Sequence, residues 1–184
     1  MVKTTAGKFT YVTDNKNQGL ININKGLKMI QLNIPGNEPQ NIKHLVLDYN
    51  GTIACDGFLL NGLRDLLGKI ADVLEVHVIT ADTFGHVQEQ LEGINLTVSI
   101  IEPGNQDLAK KTYIENLGAA SCVCIGNGRN DKLMLQYAGI GIVLIQQEGA
   151  STQAVLASDI ICTDAVSAIE LLLNKNRLTA TLRC

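Results

Sequence analysis

Leu45-Val46-Leu47-Asp48-Tyr49-Asn50-Gly51-Thr52 decides the fold of this 184-residue chain. Three apolar, strand-compatible residues run into an acid, and the chain then turns. The pattern reads as a buried strand that ends in a carboxylate. In an open α/β sheet, ligands bind just outside the carboxyl ends of the strands. An ionised Asp48, held there by rigid backbone, can attack an electrophile. Gly51 lets the backbone approach a ligand closely. Thr52 supplies a hydroxyl and could cap a following helix. Asn50-Gly51 is also a strong turn signal. The segment alone therefore leaves a plain strand-ending turn open, and the rest of the chain must decide.

From His44 onward, strand-like and helix-like patterns alternate. Short apolar, β-branched runs occur at 45–47, 76–79, 98–101, 122–125, 140–145 and 160–162. Runs apolar on both faces suit a parallel sheet covered on both sides. Helical patterns lie between them, near 58–74, 83–93, 107–117, 131–138, 150–157 and 165–174. This alternation predicts a three-layer α/β/α, Rossmann-like domain with a mainly parallel central sheet and right-handed crossovers. Residues 29–184 form this single domain, opened by the alternating Ile30-Gln31-Leu32-Asn33-Ile34 and the turn signal Pro35-Gly36. Residues 1–28 are polar and weakly periodic, and read as an arm, a hairpin or an extension.

Composition narrows the function classes. A net charge of -3 carries no basic footprint, so nucleic acid is not expected as a partner. No apolar run is long enough to span a membrane. The first residues lack the apolar core of a secretory signal. The five cysteines, Cys55, Cys122, Cys124, Cys162 and Cys184, have no C-x-x-C spacing, which argues against a disulfide framework or zinc site. Together these features predict a cytoplasmic protein.

Polar residues gather at other strand ends. The run 76–79 leads into Thr80-Ala81-Asp82-Thr83, which places a Thr80 hydroxyl at the same sheet edge as Asp48. Asp82 or Thr83 could cap the next helix. The run 122–125 leads into Gly126-Asn127-Gly128-Arg129-Asn130-Asp131. Two glycines permit a tight loop, and its side-chain oxygens could help hold a hard cation. Asn130 or Asp131 could equally serve as the cap of the next helix. The loop is not a P-loop, because G-x-x-x-x-G-K-[ST] is absent. Between these runs, Lys110-Lys111 lies on an amphipathic helix with Ile114 and Leu117 as its apolar contacts, and by themselves such lysines read as a solvated face.

Asp-x-x-Gly-Thr after one strand, Thr after the next, Lys before the fourth and Gly-Asn-Gly-x-Asn-Asp after it stand in a set order. In this the chain resembles the haloacid dehalogenase (HAD) superfamily of phosphotransferases and phosphatases over roughly residues 44–174. Asp48-Tyr49-Asn50-Gly51-Thr52 is similar to the Asp-Lys-Thr-Gly-Thr of P-type ATPases, and Gly126–Asp131 to their Gly-Asp-Gly-x-Asn-Asp. The nearest likeness is to the soluble P-type ATPase-like proteins, which have this domain without membrane helices. The resemblance implies a nucleophilic Asp48 that forms an aspartyl-phosphate. It implies that Thr80 and Lys110 hold the phosphoryl oxygens, with Lys110 preferred over Lys111 by the placing of Ile114 and Leu117. Asp48, the Asn50 carbonyl, and Asp131 or Asn127 would hold Mg2+. Gly51 and Thr52 would offer backbone N–H groups to the phosphate.

The chain departs from that pattern at two positions. Family phosphatases carry a second Asp two residues after the nucleophile, whereas this chain has Asn50. An amide cannot perform general acid–base work, which is typically worth about 10²–10⁴-fold in rate. Asn127 replaces a frequent Asp, which leaves Asp48 and Asp131 as the motif carboxylates, with Asp56 or Asp82 as compensating acids. The spacings from Thr52 to Thr80 and from Thr80 to Lys110 leave no room for a large cap domain. The resemblance to capless members then implies an open crevice, a small phosphorylated substrate or a phosphoprotein, and a homo-oligomer. The expected activity is Mg2+-dependent phosphatase or ATPase-like hydrolysis with slow dephosphorylation. The alternative is a non-catalytic protein that binds a phosphorylated ligand or partner through a decayed site.

Overall fold

A computed structural model describes residues 2–6, 9–13, 28–82 and 85–183. Most of the 1–28 stretch, Thr83 and Cys184 lie outside the described residues. At the amino terminus β1 (Val2–Ala6) pairs antiparallel with β2 (Phe9–Thr13). A second antiparallel pair joins β3 (Ile30–Leu32) to β4 (Gln40–Ile42). The predicted strand over 30–34 thus stops early. Pro35-Gly36 turns the chain, Asn37 N donates to Ile34 O at 3.0 Å, and Gly36 takes φ 89°.

The central sheet begins at β5 (His44–Asp48), buried along its whole length. A small hairpin follows, β6 (Ala54–Cys55) with β7 (Phe58–Leu59). Then come α1 (Leu63–Ala71), β8 (Glu75–Thr80), α2 (Val87–Leu91), β9 (Thr97–Ile100) and α3 (Gln106–Leu117). The chain continues through β10 (Cys122–Gly126), α4 (Lys132–Tyr137), β11 (Ile140–Leu144) and α5 (Thr152–Ala157). It closes with β12 (Ile160–Cys162), α6 (Ala165–Leu173) and α7 (Lys175–Leu182). The six strands are parallel, in the order β12-β11-β10-β5-β8-β9. The predicted α/β fold is therefore the observed one.

The chain leaves β5 toward β8 and β9, then returns to place β10 on its other side. That reversal opens a crevice at the carboxyl ends of β5 and β10, where the topology favours a ligand site. The sheet buries both faces. Leu45, Leu47, Val76 and Val78 pack under α1 and α6. Val46, Ile79, Cys122 and Cys124 pack under the α3–α5 side. Helix α1 buries Leu63, Leu66, Leu67 and Ile70 at helical spacing. Each such side chain stabilises the fold by about 1.5–3 kcal/mol relative to exposure.

The predicted helix over 58–74 begins later than expected. Asp56 and Gly57 both take positive φ, at 51° and 86°. That is the backbone of a two-residue hairpin turn, and Asp-Gly is its preferred pair. It joins β6 to β7, and Gly62 at φ 81° then delays the helix to Leu63. Helix α7 and strand β4 were not predicted. Leu178 is the only fully buried side chain of α7, so its apolar periodicity is faint.

Candidate active site

Five of the predicted site residues meet in one buried cluster. Asp48 ends β5, Lys110 points in from α3, and Asp131 lies in the turn after β10. Lys110 Nζ donates to Asp48 Oδ1 at 2.5 Å and to Asp131 Oδ1 at 2.6 Å. Lys110 and Asp131 are wholly buried and Asp48 is 8% exposed. Helix α3 turns Lys110, Ile114 and Leu117 toward the interior, which is the spacing read from the sequence. Lys111 lies at the surface, pairs with Glu115 at 3.3 Å and sits over the Tyr137 ring.

Thr52 is fully buried, and its Oγ1 lies 3.3 Å from Asp48 Oδ2 and 3.4 Å from Asn127 Oδ1. No helix follows for it to cap. Asn127 Nδ2 donates to Gly149 O at 3.0 Å, which turns the amide oxygen back toward Thr52. Asp131 Oδ2 accepts from the N–H groups of Asn127 (2.9 Å) and Gly128 (2.8 Å). Two glycines are sterically required here. A Cβ on Gly51 would lie 2.3 Å from Asn127 Nδ2, and one on Gly126 would lie 2.5 Å from Asp131 Cγ.

The electrostatics follow from burial. Desolvation pushes the Asp48 carboxyl up to about 6, and Asp131 adds to the rise against the pull of Lys110. Burial alone would lower the Lys110 ammonium, but Asp131 and Asp48 outweigh it and raise it. Lys110 therefore stays charged. One ammonium faces two carboxylates, so the cluster holds more negative than positive charge.

Those donors fit a hard divalent cation. They are oxygens, as Mg2+ prefers. Thr52 has a single hydroxyl hydrogen for Asp48 Oδ2 and Asn127 Oδ1, so it can donate to only one of them at a time. The compensating acids do not join the cluster. Asp82 Oδ1 accepts from Val87 N at 3.2 Å, at the start of α2. Asp56 groups instead with Cys55 and Glu148.

The geometry corrects one expectation, the Gly51 and Thr52 N–H groups as phosphate donors, and places two other predicted residues beside the cluster. Gly51 N–H donates to Ala54 O at 2.7 Å and Thr52 N–H to Tyr49 O at 3.2 Å, so both are spent within the tight turn. Thr52 presents its hydroxyl rather than its backbone. Thr80 lies buried at the same sheet edge, but its Oγ1 accepts from Asp82 N at 2.9 Å and makes no bond to the cluster. Asn50 Oδ1 accepts from Gly57 N at 2.9 Å, which ties its side chain to the β6–β7 turn. Tyr49 supports the same turn through its hydroxyl on Gly57 O at 3.0 Å.

Gln146 is a residue that sequence reading missed. Its Nε2 donates to Gly51 O (3.1 Å) and Thr52 O (2.8 Å), while its Oε1 accepts from Ala165 N (3.0 Å). It fastens the Asp48 loop to the start of α6. The signal was faint, a polar residue just past the end of the apolar 140–145 run. Asn130 Nδ2 donates to Gln106 Oε1 at 2.9 Å, linking the last loop to α3. Beside it opens a cavity of about 480 Å³ lined by Gln106, Asp107, Arg129, Asn130 and Lys132.

No family model matches the chain. Among curated proteins it is similar to the uncharacterized protein MJ0073 of Methanocaldococcus jannaschii. The two are 43% identical over 84 residues, which is 90% of that protein and 44% of this chain. Solved structures are similar over most of the chain. One is the 3-deoxy-D-manno-octulosonate 8-phosphate phosphatase of Moraxella catarrhalis, in complex with magnesium, phosphate and the sugar acid. It matches with TM-score 0.57 and 20% identity over 77% of this chain and 94% of its own. A HAD superfamily (subfamily III A) hydrolase of Legionella pneumophila matches with TM-score 0.58 and 20% identity, over 77% and 87% of the two chains. The cobalt-bound deoxy-D-mannose-octulosonate 8-phosphate phosphatase of Haemophilus influenzae matches with TM-score 0.57 and 16% identity, over 74% and 86%. These likenesses show the Rossmann-like fold of HAD proteins. Among the described residues, no helix is long and apolar enough to cross a membrane.

Proposed function

Since the chain belongs to the family of MJ0073 and has the HAD-type fold, we propose that it is a Mg2+-dependent phosphoester hydrolase acting through Asp48. The observation that carries this reading is the buried Lys110 bridge between Asp48 and Asp131 at a sheet crevice. Such a cluster costs stability, and strongly perturbed groups in a cleft are where chemistry concentrates. The finer grouping with soluble P-type ATPase-like proteins rests on the motif wording alone.

Each residue has a physical task. Lys110 holds Asp48 Oδ1, which leaves Oδ2, with its long Thr52 contact, as the freer oxygen. At neutral pH Asp48 is mostly ionised, since its carboxyl titrates at about 6. It attacks phosphorus, the new O–P bond forms, and the electron pair of the broken bond leaves with the substrate oxygen. Lys110 and the Thr80 hydroxyl offset charge on the transferring group. Asp48, Asn127, Asp131 and the Asn50 carbonyl would hold Mg2+, which when bound supplies Lewis acidity. Water then hydrolyses the aspartyl-phosphate. The substrate is a small phosphorylated molecule, with Arg129 of the adjoining cavity available to its body.

Asn50 favours a slow second step, and also a second reading in which the site binds a phosphorylated ligand without turnover. It has no proton to give, and its side chain is engaged with Gly57. Hydrolysis of an aryl phosphate with Mg2+ tests the first reading: activity in wild type should vanish in Asp48→Asn, and equal rates would refute it. Asn50→Asp separates the two readings. A rise of about 10²-fold or more in turnover marks a site lacking only its acid. No rise, with phosphate binding intact, marks the binder.

A further inference from the structure

At the opposite, amino end of the sheet lies a second polar cluster that the proposed reaction does not use. Two of the chain's three histidines meet there. His44 Nδ1 lies 3.2 Å from His77 Nε2 and 3.3 Å from Glu75 Oε2. His77 Nδ1 lies 3.0 Å from the Tyr113 hydroxyl of α3. The parallel register sets this arrangement, because His44 pairs with Glu75 and Val46 with His77 across β5 and β8. Alternation then puts all three side chains on the α3 side of the sheet.

We propose that His44 Nδ1, His77 Nε2 and Glu75 Oε2 form a three-ligand site for a zinc-class divalent transition-metal ion. Two imidazoles and a carboxylate are a ligand set that such ions prefer, with a fourth position left to water. The spacing agrees. Zinc–ligand bonds of about 2.0–2.1 Å in a tetrahedron place neighbouring ligand atoms about 3.3–3.4 Å apart. The two measured separations are 3.2 and 3.3 Å, and the three ligand atoms lie within 4.8 Å of one another.

Protonation and support also agree. Burial lowers both histidines from their ordinary value, so the rings are neutral and carry ligating lone pairs. The Tyr113 hydroxyl can accept from His77 Nδ1–H, which leaves Nε2 bare toward His44. Orienting a ligand histidine through its other nitrogen is how metal sites fix the tautomer. With that hydrogen spent, His44 Nδ1 has at most one hydrogen for two acceptors, so a cation satisfies the cluster better than hydrogen bonding does. The Glu75 side chain is 60% exposed, which opens the site to solvent.

The test is calorimetric titration of the chelator-treated full chain with Zn2+, in saturating Mg2+ so that the Asp48 cluster is occupied. One equivalent should bind wild type, Asp48→Asn and Cys55→Ser alike. It should be lost in His77→Gln, and in Tyr113→Phe it should bind about 10–100-fold more weakly. Co2+ in place of Zn2+ should give the strong visible bands of a four-coordinate site. Should His77→Gln not fold, the exposed Glu75→Gln keeps the test open and should weaken binding. The proposal is overturned if wild type binds no Zn2+, or if affinity is unchanged in His77→Gln or Glu75→Gln. Loss in Cys55→Ser would also overturn it, by assigning the ion to Cys55, Asp56 and Glu148.

Discussion

Helix α3 overlooks two buried polar clusters, one at each end of β5 and β8. Lys110 reaches the carboxyl end, where it binds Asp48 and Asp131. One turn later, Tyr113 reaches the amino end, where it meets His77 and through it His44. The first cluster keeps full charges away from water. In the second the two imidazoles stay neutral, because burial lowers both. Burying paired charges is costly even when they are well matched, whereas neutral hydrogen-bonded groups are tolerated. The contrast locates where the fold holds unfavourable energy: at the crevice, beside the nucleophile.

The comparison breaks most visibly at Lys110. Lys110→Met removes the one cation between two buried carboxylates and should destabilise the protein by about 3–5 kcal/mol, as read by urea denaturation at neutral pH. If the loss is below about 1 kcal/mol, the cluster is hydrated and the contrast fails. Asp48 gives the next largest effect. Its folded carboxyl titrates near 6 rather than 3.8, so the folded state favours the protonated form. The stability this lends is present below the unfolded value and lost as pH rises through 6. In metal-free protein, Asp48→Asn should therefore stabilise the fold by about 2–3 kcal/mol above pH 6, and the gain should vanish toward pH 4. A pH-independent difference would count against a buried, strained carboxylate.

The smallest effect has the opposite sign. The histidines are held below 6.5, so their stability is full above that pH and is lost as pH falls through it toward their folded values. Metal-free His44→Gln/His77→Gln should show a shallower loss of stability than wild type between pH 7 and pH 5. An unchanged slope would mean that the imidazoles titrate as in the unfolded chain.

Much of this arrangement was legible before any coordinates. The six strands were readable because short runs apolar on both faces have few other uses. Lys110 was separable from Lys111 only through the family resemblance, which places apolar contacts where Ile114 and Leu117 stand; the helix buries Lys110 and Ile114. The β6–β7 hairpin was also written in the chain, as Asp56-Gly57, but the helical pattern around it masked that turn. Gln146 was not legible, because its role depends on carbonyls of Gly51 and Thr52 almost a hundred residues earlier. Nor were the histidines, which are 33 residues apart and meet only through parallel register.

By itself the sequence determined the parallel sheet, the strand ends after which Asp48 and Asp131 stand, and the lack of an acid at Asn50. These depend on local periodicity and on residue type, which a linear chain displays. Only the tertiary structure decided that the Gly51 and Thr52 N–H groups turn inward and that Thr80 stands apart from the cluster. It also decided that one lysine must balance two carboxylates while two neutral histidines share the far end of the same strands. Hydrogen-bond partners and burial are properties of neighbours in space, and a sheet that reorders its strands chooses those neighbours only on folding.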